Sequence, residues 1–244
     1  MKCLKLVLAA VLSASSWGAL ALGGLADLTV YDRSEGRNLP IYWHQGRAYV
    51  VGKPGNEYQL QLRSRQGEEV LAVLSVDGVN VITGETATVQ QSGYVLSPGR
   101  PLEVRGWRKD LSRTAAFYFT SLPDSYAARS GRPDNVGAIG VALYRKRRPE
   151  PEADIGALSR QGPAAAESRS AGRDEKLGTG HGRNEHSPAR QVAFERATQL
   201  PAETVVLYYD SYHNLLARGV IPRGPLPSRP SPQPFPGFVP DPPA

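Results

Sequence analysis

Three pieces of sequence decide the fold: VLAVLSVDGVNVITG (Val70–Gly84), GYVLSPGRPLEVRGW (Gly93–Trp107) and TAAFYFTSLPDSYAARSGRPDNVGAIGVALYRKR (Thr114–Arg147). In all three, short apolar runs alternate with Gly and Pro, which is typical of short antiparallel strands joined by turns. Asp77-Gly78 predicts a two-residue hairpin, because both central positions of such a turn need a positive φ. We therefore expect a mainly β fold: an antiparallel β-sandwich, jelly-roll-like, with two short helices.

Further short elements flank this stretch on both sides. Ile41–Trp43 and Ala48–Val51 are predicted as two strands around a turn at His44–Arg47, and alternating apolar and polar residues predict a strand at Tyr58–Arg63. Two helices of one or two turns are predicted where an aspartate is followed by a stop glycine, from Asp124 to Gly131 and from Asp210 to Gly219. Each aspartate is the expected N-cap.

Composition divides the chain into five expected parts. They are a signal peptide (1–26), the sandwich domain (27–148), a flexible linker or long loop (149–188), a strand-strand-helix unit (189–221) and a disordered Pro-rich tail (222–244). The fourth part has predicted strands at Gln191–Glu195 and Thr204–Tyr209. It is too small to fold alone, so we expect it to dock on the sandwich beside Val136–Tyr144.

The first part has the features of a secretory leader. Lys2 and Lys5 precede the apolar run Leu6–Leu12, and two small-residue boxes follow, Ala19-Leu20-Ala21 and Gly24-Leu25-Ala26. A retained membrane anchor is the alternative, but serines and glycines make the run too polar and too short to span comfortably. We expect export to the periplasm or beyond the cell, with no stable membrane insertion after cleavage.

Charge and cysteine content restrict the partners. The formal net charge is +6, with its densest cluster at Arg145-Lys146-Arg147-Arg148, which is either a solvated strand end or an anion site. Nucleic acid is excluded as a partner of an exported protein, whereas anionic lipid headgroups or acidic polysaccharide fit better. The only cysteine, Cys3, lies in the leader, so no disulfide is expected in the mature chain.

Three segments together resemble a known family. They are SVDGVNVITGETA (Ser75–Ala87), the pair GYVLSPGRPLEVRGWRKD and FYFTSLPDSYAARSGRPDNVGAIGVALY within Gly93–Tyr144, and LGTGHGRNE with YYDSYHNLLARGV within Leu177–Val220. The chain resembles an uncharacterised family of exported β-sandwich proteins of Gram-negative bacteria. The resemblance implies a shared domain and no activity, and it implies that the domain extends beyond Leu177.

The glycine-rich segment around His181 is a candidate site. Gly180, His181, Gly182 and Arg183 could contact an anion closely or close a loop against the sandwich. A metal site is not expected, because His181 and His186 lie five apart in a glycine-rich loop and not at the fixed spacing of a rigid element.

No catalytic motif is present. The G-x-S-x-G pattern is missing, and the mature chain has no cysteine nucleophile. We therefore expect no enzyme activity, no catalytic residue and no cofactor, with a hydrolase of dispersed site as an alternative.

Aromatic residues offer the preferred binding patch. Trp107, Arg108, Tyr94 and Trp43 are the candidate ligand-binding residues, since sandwich domains commonly stack sugars on aromatic rings. Trp107 could equally fill the core.

The leading hypothesis is an exported, non-catalytic binding or envelope-associated module for glycan or protein. The alternative is an adaptor or subunit of a surface assembly, contacting its partner through the tail or an open sheet edge.

Overall fold

Fourteen strands and two short α-helices make up the part of the chain that the computed structural model describes, residues 22–148 and 176–222. In chain order they are β1 (Ala26–Asp32), β2 (Arg37–Asn38), β3 (Tyr42–His44), β4 (Arg47–Gly52), β5 (Glu57–Ser64), β6 (Val70–Val76), β7 (Val79–Asn80), β8 (Tyr94–Leu96), β9 (Pro101–Val104), β10 (Gly106–Arg108), β11 (Arg113–Ser121), α1 (Tyr126–Arg129), β12 (Ala138–Arg145), β13 (Leu177–His186), β14 (Glu203–Ser211) and α2 (Tyr212–Ala217). A 3₁₀ turn at Pro133–Asn135 lies between α1 and β12.

The strands form two seven-stranded sheets. Sheet A has the order β10-β11-β5-β1-β2, with β13 paired to β11 and β9 paired to β5. Sheet B has the order β3-β4-β14-β12-β6-β7, with β8 paired to β6. The strands β4 and β14 run parallel, whereas the other paired strands are antiparallel. The predicted mainly β fold with two short helices is confirmed.

One hydrophobic core draws residues from both sheets. Along β1 buried and half-buried residues alternate from end to end, which is the pattern of a strand with one covered face. In β6 Leu71 and Val73 point away from that core and join Tyr144 in a second cluster. The expectation that this strand is covered on both sides is therefore confirmed.

Two hairpins follow from local turn chemistry. Asp77 and Gly78, between β6 and β7, have φ of 54° and 73°, and Gln45 and Gly46, between β3 and β4, have φ of 48° and 73°. Both pairs thus have the left-handed conformation that a two-residue type I′ turn requires.

The helix stops were predicted correctly and the starts were wrong by one residue. Gly131 and Gly219 have φ of 78° and 71° just past α1 and α2. The N-caps are Ser125 and Ser211, whose hydroxyl groups accept the N–H of the residue three positions on. In each case the N-cap is the serine and not the predicted aspartate before it.

The predicted linker is wrong from Leu177 onward. Residues 177–186 form β13, which pairs with β11 over most of its length. The glycines of this segment predicted a loop, but they are required for close packing. A Cβ on Gly178 would lie 2.5 Å from Ser125, and one on Gly180 would lie 2.2 Å from the ring of Tyr118. The rest of the predicted linker, from residue 149 to residue 175, lies outside the described residues.

The predicted strand-strand-helix unit, residues 189–221, is not a separate unit that docks on the sandwich. Its strand β14 lies between β4 and β12 inside sheet B, so it completes the sheet rather than docking on it. The neighbour expected for it, the glycine-bearing strand β12, is confirmed. Gln191–Glu195 forms no strand; this part of the chain makes a single bridge, between Lys146 and Arg196.

The ends of the chain are described only in part. Residues 22–26, placed in the predicted signal peptide, belong to the fold, because Ala26 begins β1. The remainder of that segment and of the predicted tail, residues 1–21 and 223–244, lies outside the described residues. Among the described helices none is long and apolar enough to cross a membrane.

Candidate functional site

Trp107 lies in the core and not on the surface. Its side chain is 3 % exposed and packs edge-on against Phe117, with ring centroids 5.1 Å apart. It also contacts the ring of Tyr126 at 4.9 Å. The prediction that Trp107 itself contacts ligand is therefore wrong, and the core-filling alternative describes it.

Arg108 and Tyr94 do come together, as predicted. The Arg108 guanidinium lies 5.7 Å from the Tyr94 ring centre, and its Nε donates to the Tyr94 hydroxyl at 3.2 Å. Its Nη1 donates to the backbone carbonyl of Ser187 at 2.6 Å. Arg108 thus ties β10 to the chain that follows β13, and these contacts use much of its donor capacity.

Trp43 belongs to a different part of the surface. It is 57 % exposed, but it lies in β3 at one edge of sheet B, whereas Tyr94 lies in β8 at the other edge. Four strands separate them, so the two backbones are about 24 Å apart at the usual spacing between strands. The four predicted residues therefore do not form one patch.

Arg183 is held in a closed ring of ion pairs. It contacts Glu57 at 2.8 Å and Glu185 at 2.5 Å, and Arg33 contacts the same two carboxylates at 3.3 and 2.8 Å. The hydrogen bond from Arg183 holds the pKa of Glu57 below its ordinary value. Because both guanidinium groups already face carboxylates, this ring links β13 to β5 and leaves little charge for an external anion.

One predicted site residue, His181, lines a pocket, and a second, Trp107, contacts one of its lining residues. The pocket has a volume of about 320 Å³ and is lined by Asp124, Tyr126, Arg129, Ser130 and His181. The Tyr126 ring contacts two others: its centre lies 4.9 Å from the Trp107 ring and 5.5 Å from the His181 ring. We call this feature the Tyr126 pocket.

Local packing fixes the start of α1, which carries Tyr126. Tyr126 is the first residue of α1, directly after Ser125, whose fully buried hydroxyl donates to the Leu122 carbonyl at 2.7 Å and accepts from Ala128 at 3.2 Å. Since Gly178 has no Cβ, α1 packs directly on β13. The backbone that carries Tyr126 is thus held in place before any ligand arrives.

The polar groups of the pocket differ in what they already bind. In the described part of the chain neither the Tyr126 hydroxyl nor the Arg129 guanidinium has a hydrogen-bond partner, so both can face a ligand. Asp124 accepts from Ser121 at 2.7 Å, and the Ser130 hydroxyl donates to the Tyr126 carbonyl at 2.7 Å.

His181 is an uncharged member of the pocket. Burial lowers the pKa of its imidazole first, and the positive charges of Lys109 and Arg129 lower it further. At neutral pH the ring therefore offers one N–H donor and one acceptor, which suits a neutral hydroxyl-bearing ligand.

A second depression is basic but largely occupied by internal contacts. It measures about 1050 Å³ and includes Arg147, Arg148 and Arg196 in its lining. Arg196 lies 4.4 Å over the Tyr144 ring, and Arg148 pairs with Glu68 at 2.7 Å. In the basic run Arg145–Arg148, Lys146 also pairs with Glu69 at 2.8 Å, so the run is in large part a paired strand end.

Asp77 has a role that its sequence position concealed. Its fully buried carboxylate accepts three hydrogen bonds, from the Gly137 N–H at 2.9 Å, the Thr179 N–H at 2.8 Å and the Tyr209 hydroxyl at 2.5 Å. The hydrogen-bond network continues from the Tyr209 hydroxyl to the Thr179 hydroxyl and from there to the Tyr58 hydroxyl, with 2.6 Å between the oxygens of each pair. The Asp77-Gly78 pair predicted only a turn. The hydrogen-bond partners of Asp77 lie at least 60 residues away in the sequence, so no local pattern indicates them.

The described residues hold no arrangement that would point to catalysis or a metal. No group of three histidine, cysteine or acidic side chains among them could hold a metal ion. None of the four histidines, all of which lie in the described ranges, makes an ion pair with a carboxylate. The expectations of no enzyme activity and no cofactor stay predictions.

Comparison of the chain with protein-family models, with curated protein sequences and with solved structures found no match. The resemblance to exported sandwich proteins stays a prediction.

Proposed function

We propose that the chain is an exported, non-catalytic binding module and that its ligand is a glycan held in the Tyr126 pocket. The observation that carries the proposal is the half-buried Tyr126 ring in the pocket wall, next to Trp107 and His181, with a free hydroxyl and the unpaired Arg129 nearby. Sugars offer an apolar ring face with hydroxyl groups around its edge. An aromatic ring with polar neighbours matches both features.

The pocket size supports a small part of a longer chain as the group bound. A volume of about 320 Å³ is at the lower end of ligand sites. It accommodates about one or two sugar rings, so the rest of a polymer would extend over the surrounding surface. Such a site binds weakly by itself and gains affinity when many copies of the sugar lie along one surface.

The sheet edges give less support to the adaptor alternative. The edge strands β2, β3 and β8 have two or three residues each, and β13 carries a bulge opposite Ala115–Phe117 and the exposed guanidinium of Arg183. Short, bulged and charged edges are the ones that resist pairing with another strand. The leading proposal is therefore glycan binding, and protein binding is an outcome of its test.

A pair of matched tyrosine variants tests the proposal. Tyr126 and Tyr212 are each the first residue of a short helix after a serine N-cap, but Tyr212 is 56 % exposed on α2 and lies outside the Tyr126 pocket. The wild type, Tyr126→Ala and Tyr212→Ala would be applied to a glycan array and to a peptidoglycan pull-down.

We expect the wild type to bind, Tyr126→Ala to lose at least about tenfold in affinity, and Tyr212→Ala to bind like the wild type. Tyr126→Phe separates ring stacking from the hydroxyl contact, and should retain part of the affinity. Circular dichroism checks that each variant is folded. No binding by the wild type, or equal binding by Tyr126→Ala, would contradict the proposal.

A further inference from the structure

The first described residues form a hook at the start of β1. Leu22 and Leu28 exchange two backbone hydrogen bonds, with Leu28 N–H to Leu22 carbonyl at 2.8 Å and the reverse bond at 3.2 Å. Gly23 permits the tight turn between them, because it has φ of 120° and a Cβ there would lie 2.1 Å from the Ala26 carbonyl oxygen. We call residues 22–26 the N-terminal hook.

A carboxylate from the other end of the chain clamps the hook. The two oxygens of Glu203, at the start of β14, accept the N–H groups of Gly24 and Leu25, each at 2.6 Å. The Leu25 carbonyl in turn accepts from the N–H of Arg65 at 2.9 Å. Hydrogen bonds to a charged group are about twice as strong as neutral ones, so these contacts hold the hook firmly.

The hook is also part of the core. Leu25 and Ala26 are 7 % and 2 % exposed and belong to the main hydrophobic cluster. Ala26 pairs with Ser64 at the end of the β1–β5 ladder. A chain that began at Asp27 would lose these buried side chains and would leave Glu203 without its two donors.

We infer that the leader is removed between Ala21 and Leu22, after the first small-residue box and not after the second. In this hydrolysis water adds to the Ala21 carbonyl and the C–N bond to Leu22 breaks, which leaves a carboxylate on Ala21 and an ammonium on Leu22. That ammonium still donates to the Leu28 carbonyl. Cleavage after Ala26 would instead remove the whole hook. The inference depends on the predicted leader and is independent of the glycan proposal.

The N-terminus of the exported protein tests the inference directly. The full chain would be expressed in a Gram-negative host, recovered from the periplasm or medium, and examined by intact mass and N-terminal sequencing. We expect a chain that begins at Leu22. A chain that begins at Asp27, or one that keeps Met1, would overturn the inference.

Two matched substitutions show which box is used. Ala19→Gln and Gly24→Gln each place a large side chain at the first position of one box. Gly24 is exposed, and a Cβ there makes only an ordinary contact with Glu203 at 3.4 Å, so the fold tolerates the change. Ala19→Gln should abolish the Leu22 terminus, and Gly24→Gln should leave it unchanged. The reverse pattern would overturn the inference.

The contribution of the N-terminal hook to stability can be tested separately. Proteins produced without a leader, beginning at Leu22 or at Asp27, would be compared by urea denaturation. We expect a clearly lower midpoint for the chain that begins at Asp27. Equal midpoints would show that the hook adds no stability, and would remove the reason for preferring the first box.

Discussion

Replacing Tyr209 by phenylalanine should destabilise the protein strongly and in a pH-dependent way. The Tyr209 hydroxyl donates to Asp77 at 2.5 Å and lies 2.6 Å from the Thr179 hydroxyl, and all three side chains are buried. Since the single hydrogen of Tyr209 goes to Asp77, Thr179 must donate to Tyr209. The substitution therefore removes one donor from a buried carboxylate and one acceptor from a buried hydroxyl.

The size of the effect follows from these two losses. A hydrogen bond to a charged group contributes about 1.5–3 kcal/mol, and a stranded buried hydroxyl costs about 1–3 kcal/mol. We expect the free energy of unfolding to fall by about 3 kcal/mol near pH 8. Tyr208→Phe is the matched control: it lies next to Tyr209 on β14, is only half-buried, and its hydroxyl has no hydrogen-bond partner among the described residues. Its loss should stay within about 0.5 kcal/mol.

The sign of the pH dependence comes from Asp77. Burial raises the pKa of its carboxyl from 3.8 to about 6, although the bonds from Tyr209, Thr179 and Gly137 lower it. Between these values the folded state binds more protons than the unfolded state. Stability from this group is therefore fully present below pH 3.8 and is lost as the pH rises to about 6, by about 3 kcal/mol in all.

The Tyr209→Phe substitution should enlarge this loss. Removing a bond that favours the carboxylate raises the pKa of Asp77 further, so the variant loses more stability above pH 6 than the wild type. Urea denaturation, followed by the fluorescence of buried Trp107, would be measured at pH 4 and pH 8. A loss below about 1 kcal/mol at pH 8, or the same loss at both pH values, would refute this account of the network.

Four other substitutions, of which Trp43→Ala is a control, test the packing and charge arguments, with urea midpoints as the measurement. Gly180→Ala should cost about 2 kcal/mol or more, because the new Cβ would lie 2.2 Å from the ring of Tyr118; a neutral result would mean that the ring moves away freely. Trp107→Ala should cost about 3–5 kcal/mol and Trp43→Ala less than about 0.5 kcal/mol, since one ring is buried and the other is 57 % exposed; similar costs would contradict the assignment of Trp107 to the core. Glu185→Gln should cost about 3 kcal/mol, since it leaves two arginines facing one carboxylate, and a change within 0.5 kcal/mol would show that the ring contributes little.

The candidate site was foreseeable in part. Trp107 and His181 stand out in the sequence for different reasons, and nothing local indicates that Tyr126 contacts both of them. Tyr126 was one of several aromatic residues near loops and strand ends and belonged to a predicted helix start, so nothing set it apart from the others. Its exposure depends on how α1 packs on β13, and β13 itself was hidden because glycine is depleted in strands. Gly178 and Gly180 fit this strand because Ser125 and Tyr118 leave no room for a Cβ. The sequence near the two glycines does not show this.

The sequence by itself determined the features that depend on neighbouring residues. The mainly β class, the left-handed turn at Asp77-Gly78 and the helix stops at Gly131 and Gly219 all follow from backbone preferences and from the period of two. Only the tertiary structure decided that β14 completes sheet B and that Asp77 is a buried acceptor. The physical reason is distance along the chain: Asp77 and Tyr209 are 132 residues apart, and burial and pairing between such residues depend on packing that no local pattern contains.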